Sequence, residues 1–253
     1  MRIAIWHTEH EIAATIAKAI QEGLGGDSQR AGFFNDSLIL FYDVHVGYGI
    51  LRNMDNVMKE CERMSKPFFH LDRGYFNPSH YDGYYRISYK GTQGRYDPEF
   101  PITKAFKGKL GTKRVLLNGN VLVCPPTDAV CTFFGVNGKE WKNDWKDALL
   151  SLDKTVTIRN KSDKSDIDFD RYESVVTFNS SVGWQALQHG IPCISDISHS
   201  LVGSYYGGGS YEEKANKFYS TSRQPLFDFM ASQQFTLEEI RNGDACSLIK
   251  HYL

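Results

Sequence analysis

The chain has 253 residues, 29 basic and 30 acidic, for a formal net charge of -1. Hydrophobic residues make up 41% and charged residues 23%, enough apolar material for a buried core, which excludes a disordered or low-complexity chain. The balanced charge supplies no global attraction to nucleic acid or an anionic membrane, although a local basic groove stays open. No apolar run reaches the roughly 18–20 residues that span a bilayer. The opening Met1-Arg2-Ile3-Ala4-Ile5-Trp6 turns polar at His7 and reads as a strand, not a signal peptide. Five Cys, an odd count without a Cys-x-x-Cys pair, read as free thiols in a reducing compartment, so a cytoplasmic location is expected.

After the strand at 1–6, residues 9–22 carry Ile12, Ile16, Ala19 and Ile20 at helical spacing, and Gly23, Gly25 and Gly26 end that helix. The apolar run 38–42 reads as a second strand ending at Asp43 and His45, with Gly47-Tyr48-Gly49 as a loop. A helix over 51–64 and a strand over 67–71 follow. This alternation predicts a parallel sheet with crossover helices. Residues 72–114 break the rhythm: they are rich in Tyr, Gly and Pro, then basic at Lys104, Lys107, Lys109, Lys113 and Arg114, and read as an interdomain connection. Beyond them come a strand over 121–124 stopped by Pro125-Pro126, a helix over 139–151 and strands over 155–158 and 175–178. A helix over 182–189, a strand over 191–194, a Gly-rich loop from Gly203 to Gly209 and a helical C-terminal region complete the chain. The predicted fold class is α/β, two Rossmann-like units facing a cleft, divided into 1–110 and 111–253, the first one short.

Three local patterns can carry chemistry. In Phe178-Asn179-Ser180-Ser181-Val182-Gly183 a buried strand runs through small polar residues into a helix. Free N–H groups and the positive dipole end at such a start suit a phosphate, while a Ser pair there also serves simply as an N-cap. Arg159 and Lys161 lie just past a strand's carboxyl end, where ligands bind in open parallel sheets; a solvated basic loop balanced by Asp163, Asp166 and Asp168 is the alternative. Asp72, also at a strand's carboxyl end, could act as a general base on a hydroxyl, or form a turn or an ion pair with Arg73. His7 and His45 follow the first two strands and could line the same sheet edge. No metal-ligand spacing, nucleophile elbow or Walker-type phosphate loop is present.

In these segments the chain resembles a known group. Residues 175–196, VVTFNSSVGWQALQHGIPCISD, look like the donor-site segment of capsule-polysaccharide and Kdo-transferase-like glycosyltransferases of GT-B architecture. Residues 70–85, HLDRGYFNPSHYDGYY, resemble the acceptor-domain turn of the same group, with VLVCPP and IRNKS in the expected order between them and 233–249 like its closing helix. The resemblance implies sugar transfer from a nucleotide sugar to a hydroxyl, with no cofactor and no metal. Arg159, Lys161, Ser180, Ser181 and Val182 would hold the donor, Asp72 would be the base with His7 and His45 as secondary candidates, and Tyr75, His80 and Tyr84 would lie on the acceptor side. The chain lacks the His-Pro pair of relatives that use a CMP-sugar, and Asn160-Lys161 stands where Arg-Pro-Lys or Arg-Pro-His is expected, so the donor stays open. The acceptor would be a surface saccharide, or a modified base in phage DNA with the run 104–114 contacting phosphates. The alternatives are a nucleotide-sugar epimerase on the same scaffold and a non-catalytic nucleotide- or sugar-binding protein.

Overall fold

The strand-forming segments fall into two separate sheets in a computed structural model that describes residues 1–79, 82–89, 91–116, 118–163 and 165–253. In chain order the first elements are β1 (Ile3–His7), α1 (Glu11–Leu24), β2 (Asp27–Arg30), α2 (Asp36–Phe41), β3 (Val44–Tyr48), α3 (Met54–Arg63), β4 (Phe68–Arg73) and β5 (Tyr85–Tyr89). Then come β6 (Asn120–Cys124), α4 (Asp128–Phe134), α5 (Gly138–Leu150), β7 (Thr155–Ile158), β8 (Ser174–Thr177), α6 (Val182–His189), β9 (Cys193–Ser195), α7 (Leu201–Tyr206) and α8 (Tyr211–Ser220). The last are α9 (Gln224–Ser232), β10 (Gln234–Phe235), α10 (Leu237–Arg241) and α11 (Cys246–His251). Residues 1–105 and 228–253 pack as one unit and residues 106–227 as a second.

The first unit holds a six-stranded sheet in the order β10-β5-β4-β3-β1-β2. Strands β1 to β4 run parallel, and β5 and β10 are antiparallel additions. Consecutive residues of β1, β3 and β4 are buried, as in a parallel sheet covered on both faces. Helix α1 buries Ala13, Ile16, Ala17, Ala19 and Ile20, one stripe at helical period. The C-terminal segment was expected with the second unit and packs in the first. Gln234 and Phe235 pair with Arg86 and Tyr85, and Gly23 of α1 is so close to the Ile240 carbonyl that a Cβ would collide with it. That addition brings the first unit's sheet from five strands, all within residues 1–110, to six.

The expected strand at 38–42 is instead helix α2, capped by the Asn35 side chain, which accepts the Leu38 N–H at 3.0 Å. A short apolar run cannot be assigned to strand or helix from periodicity alone. The strand is Val44–Tyr48, in the stretch expected to be a strand end and loop. Gly47 belongs there because a Cβ would fall 2.6 Å from Met54 Sδ and 2.9 Å from Phe68 Cζ.

The second unit holds a four-stranded parallel sheet, β7-β6-β8-β9. Its core is Val121, Val123, Leu149, Val176 and Ile194, with Trp141 and Trp145 of α5 packed against it. Helix α6 ends at Gly190, whose φ of 91° is the left-handed conformation favoured by glycine at a helix C-terminus. Among the described residues no helix is long and apolar enough to cross a membrane.

Candidate functional site

In the second unit β6 leads through α4 and α5 to β7, while β8 leads through α6 to β9 on the other side. The connections diverge at the neighbouring carboxyl ends of β6 and β8, the switch point where open α/β sheets bind ligands. Pro125-Pro126-Thr127 follows β6 there, and Phe178-Asn179-Ser180-Ser181 follows β8. The turn orders itself: Ser180 N–H donates to Thr177 Oγ1 at 3.2 Å, Val182 N–H to Ser180 Oγ at 3.3 Å and Gly183 N–H to the Ser180 carbonyl at 3.0 Å. Ser181 is exposed, has helical backbone angles and makes no cap bond. The Val182 N–H expected to face a phosphate thus has an internal partner, in a bond longer than the usual 2.9–3.0 Å or so.

Arg159 and Lys161 lie at the same sheet edge, after β7. The Arg159 N–H extends the ladder to the Val123 carbonyl at 3.0 Å, and its guanidinium donates to the Asp163 and Ser165 carbonyls. Arg159 therefore braces its own loop, whereas Lys161 is exposed. Two residues not singled out from the sequence join this edge. Asp196 directly follows β9, and His199 Nδ1 lies 2.8 Å from its Oδ1. The local D-x-x-H spacing was their only signal.

In the first unit β1 and β3 send their crossovers in opposite directions, to β2 and β4. His7 ends β1, partly buried, with Nδ1 3.1 Å from the Thr8 carbonyl oxygen. Tyr48 ends β3, and burial followed by the Asp72 charge pushes its phenol pKa up. Asp72 lies on β4 opposite Arg86 of β5, and its Oδ2 accepts from Arg86 Nη2 at 2.7 Å. The Arg86 side chain is 8% exposed and the Asp72 side chain 38%. Arg86 also donates to the Arg73 and Thr92 carbonyls and lies over the Tyr75 ring, 5.3 Å from its centroid. Asp72 Oδ1 accepts the Arg73 N–H at 2.8 Å. Burial is the largest single influence and raises the Asp72 pKa, but the Arg86 charge, the Arg73 N–H bond and the Arg73 charge act together against it, and the carboxyl is held below its ordinary value. The result is a rigid, ionised carboxylate with one side open to solvent. The ion pair considered with Arg73 is formed with Arg86, which no local pattern marked.

His45 does not lie at the sheet edge. It sits inside β3, fully buried, and Nδ1 accepts from Trp6 Nε1 at 3.0 Å. Desolvation pushes its pKa down to about 4, so it is a neutral core residue and no surface base. Tyr75 is likewise interior, 4% exposed, and donates its hydroxyl to the Gln93 carbonyl at 2.9 Å beneath Arg86. Tyr84 is half-buried, with its ring centroid 5.9 Å from Lys104 Nζ. His80 lies outside the described residues. In the basic run, Lys104 pairs with Glu239 at 2.6 Å, Lys113 donates to the Tyr219 and Thr221 carbonyls, and Arg114 pairs with Asp170. Those three cations have partners within the chain, whereas Lys107 and Lys109 of the same run are exposed.

No family model matches this sequence, and no curated protein does. Among solved structures, the chain is similar to a Thermosulfurimonas dismutans KpsC, beta Kdo 2,7 transferase, with a TM-score of 0.51 and 12% identity over 99% of this chain and 100% of that one. A KpsC, beta Kdo 2,4 transferase from the same organism gives a TM-score of 0.49 and 12% identity over 92% of each chain. The first likeness shows the fold: an α/β chain with two parallel-rich sheets, resembling that transferase, as the residue-level resemblance implied.

Proposed function

We propose that the protein is a glycosyltransferase that moves a sugar from a nucleotide sugar to a hydroxyl of a saccharide acceptor. One observation carries the reading: a fold shared along nearly the whole chain with a protein named as a beta Kdo 2,7 transferase. The second unit would bind the donor at the β6/β8 switch point. Ser180, Ser181 and the start of α6 at Val182 would meet the phosphate, with Lys161 as the mobile cation and Arg159 shaping the loop that presents it. Negative charge that develops on the departing phosphate would be neutralised by these protein groups rather than by a bound metal ion. In the first unit Asp72 would take the proton of the acceptor hydroxyl as that oxygen forms its bond to the anomeric carbon. Arg86 would keep the carboxylate ionised and aimed, and His7 is the second candidate base. The free thiols of Cys61, Cys124, Cys131, Cys193 and Cys246 suit a cytoplasmic protein.

A thermal-shift panel of CMP, UDP, GDP and ADP tests the donor half. A nucleotide that binds the folded chain raises its apparent stability by about 2.7 kcal/mol at a hundredfold excess over Kd. If none shifts the transition, the nucleotide-sugar reading fails. Conversion of the donor sugar without an acceptor would indicate an epimerase, and binding without turnover across an acceptor panel a non-catalytic receptor.

A further inference from the structure

His199 is held in the second unit by two aromatic rings and a carboxylate. Its imidazole stacks on Phe178, at 5.3 Å between centroids and 20° between planes, and meets the edge of Phe134 at 4.4 Å. Phe178 directly follows β8, immediately before Asn179-Ser180, and Phe134 belongs to α4, the first helix after β6. The ring thus stands at the β6/β8 switch point, against the turn that opens α6. Asp196 fixes it from the other side: Asp196 Oδ1 lies 2.8 Å from Nδ1 and also accepts the Ser198 and His199 N–H groups at 2.9 and 2.8 Å. Asp196 is itself anchored, its N–H donating to the Phe178 carbonyl at 3.2 Å. Gly203 of α7 presses so closely on the Asp196 carbonyl that a Cβ would collide with it.

Buried polar atoms are satisfied inside the protein, whereas a partly exposed ring nitrogen is free to meet water or a ligand. Here Nδ1 is held, the side chain is 35% exposed, and no described residue bonds Nε2. One ring nitrogen is oriented by a carboxylate and the other is left to a ligand, the arrangement that sets which nitrogen does the work.

We propose that His199, oriented by Asp196 and clamped between Phe178 and Phe134, is a ligand-contacting residue of the second unit and offers Nε2–H to a phosphate oxygen of the nucleotide. The proposal rests on the nucleotide-sugar reading above and adds a phosphate contact to it. A hydrogen bond from Nε2–H to an anionic phosphate oxygen is a charge-assisted one.

The test is calorimetric titration of the full chain, wild type and variants, with CMP, UDP and GDP and with the matching nucleosides cytidine, uridine and guanosine. His199→Phe keeps the stacked ring and removes both nitrogens; His199→Gln restores a donor near the Nε2 position. For each nucleotide that binds the wild type, His199→Phe should weaken affinity tenfold or more and leave nucleoside affinity and melting temperature near wild type. His199→Gln should recover part of the nucleotide affinity. Unchanged nucleotide affinity in His199→Phe overturns the proposal while the donor reading stands. Equal weakening of nucleotide and nucleoside overturns it as well, because the effect would then be one of shape. If His199→Phe does not fold, His199→Ala decides: a folded variant with wild-type nucleotide affinity, or one that weakens nucleotide and nucleoside equally, refutes the assigned bond. Failure of every nucleotide to bind the wild type sinks the donor reading, and the phosphate contact with it.

Discussion

Asp72 and Arg86 face each other directly across the antiparallel β4–β5 ladder, with Asp72 Oδ2 2.7 Å from Arg86 Nη2. Loss of the charge on either partner strands the other, and Arg86 is the more deeply buried. Asp72→Asn keeps the shape and removes the basicity. In the proposed mechanism it leaves donor affinity near normal and lowers turnover by about 10²–10⁴-fold, the range for loss of a general base. Some stability is lost too, so melting temperature and single-turnover rate are measured on one preparation. A normal rate in the folded fraction would move the base to His7 and leave Asp72 as the counter-ion of Arg86. Because the Asp72 pKa is lower folded than unfolded, the pair's stabilisation is full at neutral pH and is lost as pH falls below the unfolded value of about 3.9 and through the folded one.

The two cations after β7 are expected to separate. Lys161→Ala should weaken nucleotide-sugar binding with no change in melting temperature, since Lys161 is exposed. Arg159→Ala should also free the Asp163 and Ser165 carbonyls that its guanidinium holds. The double variant should lose tenfold or more, as charge-assisted contacts to phosphate are worth about 1.5–3 kcal/mol each. Calorimetric affinity equal to wild type would place the phosphate elsewhere.

Ser181→Asp introduces an anion at the start of α6. A carboxylate is tolerated there by the helix dipole, so the fold should survive. It should repel a phosphate, and nucleotide binding should vanish. A variant that binds normally would show that the ligand does not approach this turn.

His45 and His70 make the fold sensitive to acid. Both are buried, and desolvation holds each pKa at about 4, against about 6.5 when unfolded. Below pH 6.5 or so the unfolded chain binds protons that the folded chain refuses, so stability falls until the pH reaches the folded values. At about 1.36 kcal/mol per unit, each histidine costs on the order of 2 kcal/mol of stability by pH 5 or so. Urea unfolding at neutral pH and near pH 5 measures the loss, and His45→Asn, which keeps an acceptor for Trp6, should remove about half of it. A flat profile would contradict the neutral buried state.

Much of the fold was legible because it rests on local rules. The stripe Ala13, Ile16, Ala17, Ala19, Ile20 declares α1, and the apolar runs of β1, β4, β6 and β8 declare buried parallel strands whatever lies around them. Placement of Ser180 and Lys161 at a strand's carboxyl edge follows from the same rules. What the tertiary structure decided are relationships between distant residues. Residues 38–42 became a helix and 44–48 a strand, because pairing of β3 with β1 and β4 settles what a short apolar run leaves undecided. That pairing turned His45 from a candidate base into a core residue. Arg86 meets Asp72 only because β5 returns antiparallel to β4, and residues 228–253 join the first unit through the pairing of β10 with β5 and the packing of α10 on α1. Residue types and spacings specify which groups can ionise, cap or span a strand; which carboxylate meets which guanidinium depends on strand register, and register is a property of the folded sheet.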